Sequence, residues 1–216
     1  MPHGSSPALL ALHAVRIAGM ASTERAAVRY GLPRADTEEL LQDDEARGLV
    51  RRVEFVDLAG WSLTEAGRAE DERRLSEELD RTGTRPVVEA AAVAFGRLNP
   101  RLLTAVTDWQ LRPQPWDRMA ANDHTDHRWD DRVLRELTRI GELLGPVCDP
   151  LEAALRRFAG YPRRYAAAMA RVSDGERSWV DGIGAESAHG VWLELHEDLR
   201  ATLGNPLGAG PSVTPG

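Results

Sequence analysis

Lysine is absent from this sequence, so every fixed positive side-chain charge is an arginine. With 34 acidic against 27 basic residues the formal charge is −7, which argues against a protein that coats nucleic acid non-specifically. An arginine-only, alanine-rich composition reads as coding bias rather than as a phosphate-binding device. Cysteine is nearly absent too: Cys148 stands alone and cannot form an internal disulfide, which fits a reducing cytosol. No apolar run approaches the roughly 18 residues of a membrane span, and Met1 to Ser6 lacks a basic-then-apolar signal pattern. The expectation is a soluble cytoplasmic protein with no membrane partner. No GxSxG, GxGxxG, P-loop, HExxH or cysteine ligand set occurs, so neither a cofactor nor a metal is expected. Internal repeats and sustained heptads are likewise missing.

What the sequence does have is clear punctuation and, at 42 % hydrophobic, enough apolar residues for a real core. Ser5 or Ser6 can cap a helix from Pro7 to Ala18, which Gly19 ends; Ser22 caps a second, which Tyr30-Gly31 stops. Pro33 opens a third, with Leu40, Leu41, Ala46 and Leu49 as its apolar positions, and Gly48 closes it. Val50 to Phe55 and Trp61 to Thr64 are β-rich runs around Asp57-Leu58-Ala59-Gly60, a hairpin signal. Thr64 to Gly67 then starts a long, highly charged helix through Arg81, with Ala69, Leu75 and Leu79 on one narrow apolar line. Thr82 to Pro86 breaks the pattern. Beyond it the reading is all helical: 86–98, 100–111, 129–144, 150–159, 162–172 and a last helix over 185–203. A polar loop covers 112–127.

This order of turn, helix, short hairpin and helix is that of a winged helix-turn-helix. EARGLVRR followed by LTEAGR resembles the MarR-type regulators of bacteria over roughly the first third of the chain. The resemblance implies a dimeric transcriptional regulator whose third helix enters the DNA major groove. The side chains that would then face DNA are Arg34, Thr37, Gln42, Arg51 and Arg52, with Arg47 nearby. The same helix carries Glu38, Glu39 and Asp43 where family members commonly have Thr or Arg. The hairpin tip, Val56 to Gly60, carries Asp57 and no basic residue. Carboxylates facing phosphates invert the electrostatic attraction that supplies most non-specific affinity.

The densest polar chemistry is Asn122 to Asp131, where the loop enters a helix. Asp126 or His127 can cap that helix, and Asp130-Asp131 suit its first turn. On the last helix His189, Trp192, His196, Leu199 and Leu203 recur at helical spacing, which turns both histidines inward. A pocket lined by Trp109, Asn122, His124, Asp126, Trp129, His189, Trp192 and His196 would suit a small-molecule effector or substrate. If the chain is an enzyme, His124, Asp126, His127 and His196 are the acid/base candidates. The other readings are a weak HxxH-type metal site and plain hydrogen-bonded core histidines. Arg156, Arg157, Arg163 and Arg164 form a basic cluster suited to an anionic ligand or an acidic partner surface.

The expected architecture is mainly α: a winged helix-turn-helix with its long following helix over 7–81, an all-α ligand-binding domain over 86–204, and a disordered tail over 205–216. The leading expectation is a dimeric regulator that binds DNA and senses a small molecule. The alternative is a winged-helix-fold protein that does not bind DNA and acts as an enzyme or docking module through the His/Asp/Trp pocket.

Overall fold

The computed structural model describes residues 1–55, 58–182 and 186–204. Helices α1 (Pro7–Ala18), α2 (Thr23–Tyr30) and α3 (Arg34–Ala46) precede strands β1 (Val50–Phe55) and β2 (Leu58–Leu63). Five more helices follow: α4 (Glu65–Thr82), α5 (Arg85–Gln110), α6 (His127–Ala154), α7 (Tyr161–Ser173) and α8 (Ala188–Thr202). The fold is mainly α, with an antiparallel two-stranded sheet after three helices, an order compatible with a winged helix. None of the described helices is long and apolar enough to cross a membrane.

Two compact units share the chain. One comprises Met1–Glu89, Glu152–Arg157 and Glu194–Gly216; the other comprises Ala90–Leu151 and Phe158–Leu193. The expected disordered tail, 205–216, and the hairpin-tip residues Val56 and Asp57 lie outside the described residues.

The first unit is assembled by the caps. Ser6 accepts from the Leu9 amide and Ser22 from that of Arg25, each satisfying a donor that a helix start leaves open. Gly48, at φ +73°, turns the chain out of α3 in the left-handed conformation that glycine tolerates best. Thr64 then joins strand to helix. Its hydroxyl accepts from the Gly67 amide at 3.0 Å and donates to the Gly48 carbonyl at 2.7 Å. A Cβ on Gly67 would stand 1.9 Å from the Leu49 carbonyl oxygen, so α4 can lie against this backbone only because the residue has none. That is the physical content of the LTEAGR motif.

In the hairpin Val50 pairs with Leu63 and Val53 with Gly60, so Leu58, Ala59 and Gly60, expected in the turn, are strand residues. Ala21 adds an antiparallel rung to Trp61. Leu12, Val15, Ala26, Leu41, Val50, Trp61 and Leu63 form the core beneath.

The second unit contains less irregular backbone than its prolines suggest. Residues 85–110 form one helix through Pro100, and 127–154 form one through Pro146 and Pro150, where breaks at 98–100 and 144–150 were expected. Each proline removes one intrahelical donor. Gly145, lacking a Cβ, eases the crowding that a residue before proline meets in a helix. Tyr165 is buried and its hydroxyl donates to the Leu137 carbonyl at 3.0 Å. Trp192 stacks on Phe95 and donates to Asn99 at 2.9 Å.

The first unit also buries charge. His13 of α1 has no solvent exposure and reaches Asp71 of α4 through Nδ1 (3.1 Å) and Asp198 of α8 through Nε2 (3.0 Å). Both ring nitrogens face carboxylates, so both carry protons and the ring is an imidazolium. Arg157 donates to Asp198 at 2.5 Å, to Glu78 at 2.8 Å and to the Thr202 hydroxyl at 3.0 Å. At the edge Arg16 holds Glu197 (2.5 Å) and Glu72 (2.9 Å). Burial alone would push the His13 pKa down; Asp71 and Asp198 outweigh it and raise it to about 9. Burial likewise opposes the Asp198 charge, but Arg157 and His13 hold its pKa below the ordinary carboxylate range.

The His13 contribution to stability is whole below its unfolded pKa of 6.5 and disappears as the pH rises through about 9. Denaturant unfolding at pH 7 and pH 10 should therefore show a lower unfolding free energy at pH 10, and His13→Gln should remove much of that difference. Asp198→Ala leaves two buried cations facing one fewer carboxylate and should cost about 3–5 kcal/mol at pH 7.

Candidate functional site

Two places carry the chemistry anticipated above: the outer face of α3 in the first unit and the loop before α6 in the second. On α3, Thr37, Leu41 and Asp44 are buried at a spacing of four and three, which fixes the orientation of the helix. Asp36, Glu39, Gln42 and Asp43 consequently face outward. Thr37 is not on that face. Its hydroxyl donates to the Pro33 carbonyl at 2.9 Å inside the fold, which corrects its expected place against DNA.

The other anticipated DNA contacts are mostly engaged. Arg52 donates to Glu38 at 3.0 Å and lies 4.4 Å over the Trp61 ring. Gln42 also donates to Glu38, at 3.2 Å, and Arg34 stands 3.5 Å from Glu24. Arg51 is exposed on β1. Glu38 closes a chain of hydrogen bonds: Trp61 Nε1 donates to Thr23 Oγ1 at 2.9 Å, and the Thr23 hydroxyl donates to Glu38. The Thr23 hydrogen bond, with help from Gln42 and Arg52, lowers the Glu38 pKa. Glu38 is thus a tie between α2, α3 and the hairpin, while Asp36, Glu39 and Asp43 set the charge of the outer face.

In the second unit the loop folds onto the ends of α5 and α6. Asn122 is its organiser. Its Nδ2 lies 3.0 Å from the Trp109 carbonyl and 2.9 Å from Asp130, and its Oδ1 accepts from the His124 amide at 3.1 Å. That last bond holds His124 at φ +57°, the one described non-glycine residue in the left-handed region, where a side chain costs about 1–2 kcal/mol. His124 Nδ1 is 3.1 Å from both oxygens of Asp130, which is buried. Only a protonated Nδ1 can donate to that carboxylate, so in the neutral ring Nε2 carries the lone pair. The ring centroid lies 4.4 Å from that of Trp109. Strain, an orienting carboxylate and an aromatic wall are the ingredients of an acid/base or ligand-orienting histidine.

Asp126 does different work. It caps α6 by accepting from Arg128 and Trp129 amides (3.1 and 3.2 Å) and pairs with Arg112 at 2.8 Å. The Trp129 amide, together with Arg112, lowers its pKa. Trp129 donates from Nε1 to the Asp108 carbonyl at 2.6 Å.

The structure thus brings together Trp109, Asn122, His124 and Asp130, with Asp126 and Trp129 at the adjoining helix start. His127 is exposed and makes no hydrogen bond to this cluster among the described residues. Trp192 is a core residue, its indole committed to Phe95 and Asn99. His189 and His196, expected to turn inward, are each half-buried with pKa values lowered by burial; His196 belongs to the first unit and the loop to the second. Trp192 and Leu199 of the expected stripe are buried on α8, joined there by Leu195 and Asp198. The expected basic cluster is divided as well: Arg157 is buried in the first unit's ion network, and Arg164 pairs with Glu186 at 2.8 Å. Among the described residues no group of three or more His, Cys, Asp or Glu could hold a metal ion.

No protein-family model, no curated protein and no solved structure matches the chain.

Asn122→Ala removes the bonds that hold the loop and should lower the unfolding free energy by about 1–3 kcal/mol. Hydrogen exchange should show the faster-exchanging amides confined to residues 121–126, the segment that Asn122 pins.

Proposed function

We propose that this chain is a winged-helix protein that serves as a protein-docking module rather than reading DNA, with the outer face of α3 taking a basic surface of its partner. The order α1, α2, α3, hairpin, α4 and the extra rung at Ala21 support the winged-helix assignment, as does the resemblance of EARGLVRR and LTEAGR to MarR-type regulators.

One observation carries the docking reading: the helix that would enter the major groove turns Asp36, Glu39 and Asp43 outward. Each repels a phosphate where a reader of DNA would release a counterion. The neighbouring Arg52 and Gln42, which could have compensated, are bound to Glu38. A partner surface rich in Arg or Lys meets the same face with attraction, which favours encounter and register. The His124–Asp130 pair equips the second unit to orient a small molecule, and this part of the reading stands independently of α3.

Titration against its own upstream DNA at several salt concentrations separates docking from DNA reading. The expected result is weak, sequence-independent binding with a shallow salt slope. Tight, specific binding that falls steeply with salt would overturn the docking reading and restore the regulator. Asp36→Lys, Glu39→Lys and Asp43→Lys combined should create salt-dependent DNA binding, each new phosphate contact steepening the slope by about 0.9.

A further inference from the structure

Four arginines converge on a groove of about 570 Å³ between α5 and α6 of the second unit, lined by none of the expected ligand-pocket residues and adjoining them at Trp129. Arg101 comes from α5; Arg132, Arg135 and Arg139 come from α6. The spacing of three and four on α6 places its three guanidinium stems along one side of the helix. Ala105 and Val133, both buried, form an apolar floor.

Two carboxylates share the groove, and each already has a cation. Glu136 accepts from Arg101 at 2.7 and 2.9 Å, and Asp108 accepts from Arg132 at 3.0 Å. Arg132 is also fixed 4.3 Å over the Trp129 ring. Arg135 and Arg139 remain. Both are exposed, and among the described residues neither has a hydrogen-bonded carboxylate. They also border a shallower depression with Asp131 and Glu142, which reach no hydrogen bond to them.

Within the groove lining four cations face two anions, with Asp131 and Glu142 set outside it, in a chain whose net charge is −7. Like charges one turn apart on a helix repel; Asp131 and Glu142, at helical spacing on α6, offset this only through solvent, since among the described residues no carboxylate hydrogen-bonds to Arg135 or Arg139. An occupant with two negative charges would relieve them. Guanidinium groups match carboxylate and phosphate oxygens in a forked, two-bond geometry, and a low-dielectric floor strengthens that attraction. The volume lies within the range of small-molecule sites, and the floor needs an apolar body above it.

We propose that this groove is a binding site for a small organic dianion, a phosphate monoester or a dicarboxylate with an apolar body, held chiefly by Arg135 and Arg139. Arg132 would couple its arrival to Trp129.

Calorimetric titration of the full chain with phenyl phosphate, with phthalate and with sulfate tests this. Saturable binding of phenyl phosphate or phthalate, tighter than that of sulfate, is expected, and whichever of the two binds more tightly identifies the source of the charge. Arg135→Gln with Arg139→Gln should weaken binding by at least about tenfold, the loss of charge-assisted bonds. Arg97→Gln, an exposed change on α5 outside the groove, should leave it unchanged. Asp108→Asn with Glu136→Gln frees Arg101 and Arg132 and should tighten it. Absence of saturable binding by both organic dianions, sulfate binding as tightly as they do, or equal binding by the Arg135/Arg139 variant would each overturn the proposal.

Discussion

The first unit depends on one arrangement: an imidazolium and a guanidinium, His13 and Arg157, buried among Asp71, Asp198 and Glu78. Removing such charges from water is costly, and only mutual attraction with satisfied hydrogen bonds offsets the cost. A hydrophobic cluster of the same volume would tolerate sliding. This one does not, because a shift of an ångström leaves a buried charge alone. The network therefore fixes the relation of α1 to α4 and to the last turns of α8 more sharply than the small apolar contact of Leu9, Leu75 and Ala201 beside it.

Part of this was legible in the residues. Ser6, Ser22 and Thr64 act as caps, and Gly48 as a terminator, because short-range chemistry decides such positions and three or four neighbouring residues contain it. The hairpin was legible for the same reason. The prolines misled. Pro100, Pro146 and Pro150 read as breaks, yet packing of long apolar faces, such as Val133, Leu137, Ile140 and Leu144, outweighs one missing donor per proline.

The buried charges were illegible for a different reason. Asp71, Glu78 and Asp198 sit in strings of Asp, Glu and Arg that look solvated on any helical wheel. Their partners are distant in sequence, so no periodicity reveals them. One signal was available: His13 lies within the apolar face of α1, between Leu12 and Val15, where a histidine without a partner would be costly. At the candidate site the loop histidine, its aspartate and its asparagine are close in sequence and were all within the flagged stretch. Of the stripe drawn through His189 and His196, Trp192 and Leu199 are buried while the histidines are only half-buried, because the helix is rotated to bring Asp198 inward to Arg157 and His13.

The separation of 185 positions between His13 and Asp198 has a consequence for the order of events during synthesis. When the first 89 residues have left the ribosome, Asp71 and Glu78 are available to α1, but neither Arg157 nor Asp198 exists yet. The nascent unit can form its hairpin and its caps while the place that will hold the ion network is still incompletely neutralised. It closes only when residues up to Thr202 have emerged, so the earliest part of the chain to be made is among the last to become fully stable. The sequence between, which contains the whole of the other unit, is free to fold in that interval.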